Sequence, residues 1–124
     1  MEDANRACVE RFWKAIQAGD MAALADVYAD DAVQEWPQSS ERIVGKANIL
    51  AIMEHYPGMP AGTLRRIQGS GDVWVVEGTL AYGDETYEAV CVLEVRDGRI
   101  ARETDVFAAC FDAPEWRAQW VERM

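Results

Sequence analysis

DVWVVEGTLAYGDETYEAVCVLEVRDGRIARETDVFAAC, residues 72–110, decides the fold. Two short polar punctuations, Gly83-Asp84 and Asp97-Gly98, cut this stretch into three long runs rich in β-branched and aromatic residues. Asp97-Gly98 is the stronger of the two, because both central residues of a tight hairpin turn favour positive φ. The reading is strands at 72–82, 85–96 and 99–110. A further strand at 63–69 precedes the turn Gly69-Ser70-Gly71-Asp72, which makes a four-stranded antiparallel meander. Side chains alternate across a strand. Trp74, Val76, Gly78, Leu80 and Tyr82 therefore share one face, as do Tyr87, Ala89, Cys91 and Leu93, and as do Glu103, Asp105 and Phe107. The opposite faces carry Val73, Val75, Val90, Val92 and Val106, more apolar surface than a one-sided sheet needs. One face must pack on helices, and the other is expected to meet a second copy of the chain, giving a homodimer through the sheet.

Upstream of the meander the period changes to that of helices. Asp3 is positioned to cap a first helix in which Val9, Phe12, Trp13 and Ile16 recur at helical spacing. Ala18-Gly19-Asp20 closes it, and Asp20 can cap a second helix with Leu24, Val27 and Tyr28 on its apolar side. Asp30-Asp31 reads as a turn, and Ala32 to Trp36 as a short strand stopped by Pro37. A polar loop, Gln38-Ser39-Ser40, leads to a short extended piece, Arg42-Ile43-Val44. After Gly45 a third helix carries Ile49, Leu50, Ile52, Met53 and Tyr56 as its buried stripe and is ended by Pro57-Gly58-Met59-Pro60. The tail from Pro114 to Met124, with Trp116 and Trp120 four apart, reads as a short helix or an ordered segment covering something apolar. Helices and strands are segregated, so the class is α+β, in one domain over residues 1–124.

Charge and composition exclude several roles. Twenty-two acids against twelve bases give a net charge of −10, opposite to the basic stripe that nucleic acid or an anionic membrane requires. Cys8, Cys91 and Cys110 are scattered, with no CxxC pair and no Cys/His cluster, so no metal site is expected. Free thiols suit a reducing compartment. The acidic start, Met1-Glu2-Asp3-Ala4, does not read as a secretion signal, and no apolar run reaches the ~20 residues of a membrane span. A cytoplasmic location is the resulting expectation.

The order of elements and a set of short motifs resemble the SnoaL-like branch of the nuclear transport factor 2-like superfamily. The motifs are Phe12-Trp13, Ala18-Gly19-Asp20, Tyr28-Ala29-Asp30-Asp31-Ala32-Val33, Glu35-Trp36-Pro37-Gln38, Gly45-Lys46-Ala47-Asn48-Ile49, Asp97-Gly98-Arg99-Ile100 and Thr104-Asp105-Val106-Phe107. The resemblance spans nearly the whole chain. It implies a cone-shaped fold in which a bent antiparallel sheet wraps around helices and encloses an interior pocket. It does not fix an activity, since ketosteroid isomerases, polyketide cyclases, limonene-type epoxide hydrolases, dehydratases and plain binding domains share that fold.

Asp105 is the foremost candidate for chemistry. The resemblance implies an acid or base at its place in the last strand, and an apolar pocket disfavours a carboxylate's charge, moving its pKa toward the range useful for proton transfer. The competing reading is a structural aspartate held by a backbone amide or an arginine. Glu103 shares its face about 7 Å away, so each acid should raise the other's pKa if both are buried. Glu35 is a second candidate, on the short strand that lines the cone's mouth in similar proteins; if it points outward, Gln34 and Trp36 point in. His55, the lone histidine, is either a general base or a partner of the last carbonyls of its helix. Trp13, Tyr28, Trp36, Tyr56, Trp74, Tyr82 and Phe107 are candidate pocket walls as well as ordinary core residues, joined by Gly78, Leu80 and Cys91. Gly78 and Leu80 also stand where epoxide hydrolases of this type carry an arginine and an aspartate. That departure weighs against an epoxide hydrolase-like activity.

The expectation is therefore an acid/base enzyme of the isomerase, cyclase or dehydratase kind, working without a cofactor on a small hydrophobic molecule. The alternatives are a non-catalytic hydrophobic-ligand domain and an interaction domain whose pocket is filled by its own side chains.

Overall fold

The hairpin turn at Asp97-Gly98 has positive φ at both positions, 53° and 73°, as a tight turn that follows strand twist requires. It joins β5 (Glu85–Arg96) to β6 (Arg99–Ala109). In the computed structural model, which describes residues 2–56 and 61–124, these strands continue the meander of β3 (Ala61–Ser70) and β4 (Val73–Tyr82). The other elements are α1 (Glu2–Ala18), α2 (Met21–Val27), β1 (Tyr28–Trp36), β2 (Glu41–Val44), α3 (Lys46–His55) and a 3-10 helix (Glu115–Trp120). The six strands form one sheet in the order β2-β1-β6-β5-β4-β3. All pairs are antiparallel except β1 with β6, so the sheet is mixed rather than wholly antiparallel. The class is α+β, as the sequence predicts.

The parallel pairing of β1 with β6 matters most for the site. It sets Gln34 opposite Glu103 and Glu35 opposite Thr104. Burial along β4, β5 and β6 alternates in the predicted sense: Trp74, Val76, Leu80, Ala89, Leu93, Glu103 and Asp105 face inward. Helix α1 lies across that inner face and buries Cys8, Val9, Phe12, Trp13 and Ala15. Asp20 caps α2 by accepting from the Ala23 backbone N–H at 3.1 Å. Asn5 ties α1 to two turns: its amide nitrogen donates to Gly71 O at 2.9 Å, and its oxygen accepts from Gly98 N at 3.3 Å.

Several expectations need correction. Of the buried stripe expected on the third helix only Ile49 is fully buried, while Ile52 is exposed and Tyr56 lies past the helix end and is exposed. Asp3 lies inside the first turn of α1 rather than ahead of it. Tyr28 is not on the apolar side of α2 but opens β1, and Asp30-Asp31 lies within that strand, where the pairing with β6 slips between Tyr28 and Val33. The extra residues bulge out of register, which is the physical content of the turn signal. The tail forms its 3-10 helix, but among the described residues it packs on no other element, and Trp116 and Trp120 are 74% and 72% exposed. Pro57-Gly58-Met59-Pro60, expected to end the third helix, lies outside the described residues. Among the described residues, no helix is long and apolar enough to cross a membrane.

Candidate active site

Asp105 sits near the middle of β6 with its side chain on the inner face, 5% exposed. It forms the floor of a hollow of about 760 Å³, within the size range of small-molecule sites. The walls are aromatic: Trp36 from the end of β1, Tyr56 beyond α3, Tyr82 and Tyr87 from the β4–β5 hairpin, and Phe107 two residues on from Asp105. Gln38, Ser39, Glu41 and Glu85 form the exposed rim. The Gln38 side-chain oxygen accepts from the Phe107 backbone N–H, which fastens the loop after β1 to the end of β6.

Behind Asp105 lies a second buried carboxyl. Glu103, 2% exposed, accepts from the Tyr28 hydroxyl at 2.5 Å on one oxygen and from Gln34 Nε2 at 2.9 Å on the other. Tyr28 and Gln34 are themselves buried. The carboxyls of Glu103 and Asp105 and the Cys91 thiol place one polar atom each within 4.8 Å of one another. One oxygen of Asp105, Oδ1, is buried without a hydrogen-bond partner, and so is the indole nitrogen of Trp36.

The electrostatics follow from this geometry. Burial raises the Glu103 carboxyl well above its ordinary range, and the adjacent Asp105 charge adds to the effect against the opposing donors Tyr28 and Gln34. Burial also raises Asp105, while Glu103, Cys91 and the nearby Trp36 indole pull it back toward the ionised form. Trp36 acts here from close by without completing a hydrogen bond. Two such carboxyls cannot both ionise cheaply, so they titrate as a pair. Burial and mutual repulsion therefore favour a singly protonated pair. Burial likewise keeps Cys91 a thiol and Tyr28 a phenol, both further raised by the carboxyls they face. A cation held by Cys91, Glu103 and Asp105 would need all three deprotonated and would compete with Tyr28 and Gln34 for Glu103.

Of the residues singled out from sequence, Asp105, Trp36, Tyr56, Tyr82 and Phe107 line the hollow, and Glu103, Tyr28 and Cys91 stand behind its floor. Glu35 does not join them. It points away from Gln34 and Trp36 and pairs with Arg42 at 3.2 Å and Arg102 at 2.5 Å. Those hydrogen bonds hold its carboxyl below the usual range, Arg102 contributing most. His55 is exposed, with Nδ1 2.7 Å from the Ala51 carbonyl, as its helix-end reading predicts. Trp13, Trp74, Gly78 and Leu80 belong to the core rather than the hollow. Trp74 donates to Gly71 O at 3.0 Å. The Trp13 ring lies on Gly78, so the space that small inner residues leave is filled from α1. Sequence reasoning missed the functional placement of Gln34, Gln38, Glu41, Glu85 and Tyr87. Gln34 had a signal, since alternation from an outward Glu35 turns it inward; the rim residues had none, because they converge from separate loops and strand ends.

Comparison with known proteins supports this assignment of fold. The family model described as a SnoaL-like domain matches residues 9–103. An NTF-2 like protein of unknown function from Burkholderia xenovorans LB400 is 41% identical, with 98% of this chain and 96% of that one covered at a TM-score of 0.92. A putative ketosteroid isomerase from Kribbella flavida DSM 17836 is 32% identical, covering 99% of this chain and 91% of that one at a TM-score of 0.90. An M. tuberculosis LEH-like epoxide hydrolase is 27% identical over 86% of this chain and 84% of that one, with a TM-score of 0.73. No curated protein matches the chain. With the mixed sheet wrapped on α1 and the family match running from α1 into β6, the chain belongs to the SnoaL-like domain family and has the cone-shaped NTF2-like fold.

Proposed function

We propose that the chain is an acid/base enzyme of the isomerase, cyclase or dehydratase kind, in which Asp105 moves a proton on a small apolar molecule seated in the aromatic hollow. The observation that carries this reading is the Asp105 carboxyl itself, only 5% exposed yet lining a hollow whose walls are aromatic. Ionised Asp105 would take a proton from a carbon next to a carbonyl and return it to another atom of the same molecule, leaving the enzyme unchanged. Protonated Glu103, held by Tyr28 and Gln34, would keep the second negative charge off the floor. Tyr82, which receives a hydrogen bond from the Tyr56 hydroxyl at 3.3 Å, would donate its own proton toward the oxygen where charge develops. Burial and Tyr56 raise its pKa, so it stays a donor. The name borne by the Kribbella relative fits this chemistry.

Solvent exchange tests the proton step without knowledge of the substrate. In D2O, the α-hydrogens of small apolar ketones should exchange faster in the presence of the protein, as read by proton NMR. Asp105→Asn keeps the shape and removes the base, and should slow that exchange by about 10² or more. Exchange that survives the substitution unaltered would remove Asp105 from the chemistry. Saturable ketone binding with no exchange would favour a binding domain.

A further inference from the structure

We infer that the hollow selects a positively charged ligand, an organic ammonium with apolar substituents, over neutral or anionic molecules of the same shape. The inference rests on reading the hollow as a ligand site and refines the apolar molecule proposed above to one that carries a cationic group beside its apolar part. Every charged side chain lining the hollow is an acid: Asp105 at the floor, Glu41 and Glu85 at the rim. Among the described residues, no lysine, arginine or histidine lines it. Arg42, next to Glu41 in the chain, and Arg102 are both turned to Glu35 outside the hollow.

The walls suit the same ligand. An ammonium group is attracted to the face of an aromatic ring within about 6 Å of its centroid. Tyr82 stands between two other rings, Tyr56 at 5.9 Å with a 35° tilt and Tyr87 at 5.5 Å and nearly perpendicular. Rings at such different inclinations form a corner rather than a flat stack. The Tyr87 hydroxyl donates to Glu85 at 2.7 Å, which places a carboxylate beside this corner. A neutral apolar ligand would gain nothing from Glu41, Glu85 or the Asp105 carboxyl at the floor. An anion would be repelled by all three acids. A protonated amine offers N–H donors to the floor, and even a quaternary ammonium satisfies the field of walls and rim.

Isothermal titration of the full chain with choline and with 3,3-dimethylbutan-1-ol tests this directly. The alcohol replaces the quaternary nitrogen by carbon and keeps the shape, so the difference reads charge alone. Choline is expected to bind about tenfold tighter. The rim substitutions Glu41→Gln and Glu85→Gln together should weaken choline about three- to fivefold and leave the alcohol unchanged. Both positions are exposed, so the variant retains its core. Equal or tighter binding of the alcohol would overturn the inference while leaving the hollow as a neutral-ligand site. Binding of neither probe at millimolar concentration would overturn the inference together with the ligand-site reading beneath it.

Discussion

Glu103 and Asp105 tie stability to pH in a direction opposite to most carboxylates. An acid whose folded pKa is raised binds its proton more tightly in the folded chain, so its stabilising effect is present at low pH and is lost as pH rises through the folded value. For Glu103 that loss begins at its ordinary value of 4.5 and continues upward; for Asp105 it begins at 3.8. Glu35 and Glu88, whose pKa values are lowered by Arg102 and by Thr79 respectively, lose stability only as pH falls below the ordinary value. The two effects therefore occupy separate pH ranges. Thermal denaturation should show a Tm that falls from about pH 5 upward, and Glu103→Gln, which cannot ionise, should flatten that fall. A Tm equally pH-dependent in both proteins would show that Glu103 is not the group responsible. Asp105 was legible because it interrupts an apolar run on a recognisable strand. The partners that set its proton affinity were less legible: Tyr28 and Gln34 lie some seventy residues away in sequence and reach Glu103 only through the parallel β1–β6 pairing.

At the scale of elements, the contact between α1 and β4 decides where the hollow can be. A Cβ built on Gly78 would lie 2.8 Å from the Thr63 carbonyl oxygen and 3.1 Å from the Trp13 ring. The backbone oxygen cannot yield as a flexible side chain would, so Gly78→Ala must shift β3 or lift α1. Overpacking of this kind costs about 1–3 kcal/mol, which urea denaturation would read as a lower midpoint with an unchanged slope. Since Gly78 does not line the hollow, ligand affinity measured on the folded variant should stay the same. A variant as stable as the parent would show that Trp13 does not rest on this strand. The meander was readable because its turns and alternation are local: β5 was placed at 85–96, and the structure puts it at Glu85–Arg96. β1 was readable only in its second half. Its first half looks like a helix end followed by a turn, and only pairing with β6 makes it a strand. Gly78 as a pocket residue failed for the same reason, because the ring that fills its space comes from a helix sixty-five positions earlier.

Among the described residues, apolar surface is left uncovered on the outer face of the sheet and along the C-terminal tail. On the outer face of the sheet, Val75 opposes Val92, and Val90 opposes Val106; Val90, Val92 and Val106 are 36–42% exposed. Ion pairs border this strip, Arg66 with Glu77 and Arg102 with Glu94. Beyond β6 the chain carries Phe111, Trp116 and Trp120, each more than 70% exposed, on a segment that contacts no other element. Six residues of 3-10 helix gain little stability by themselves in water. We propose that a second copy of the same chain covers both regions: a two-fold contact would let strip meet strip and lay each tail on its partner. Sedimentation should therefore give twice the chain mass of 13.9 kDa at micromolar concentration. Val90→Lys with Val106→Lys should yield single folded chains, because four like charges would then face one another across a dry contact. Removing residues 114–124 separates the contributions: a dimer weakened but not abolished assigns the main contact to the strip, and complete dissociation assigns it to the tail. A parent protein that sediments as one chain at every concentration would show that neither surface is an interface between copies.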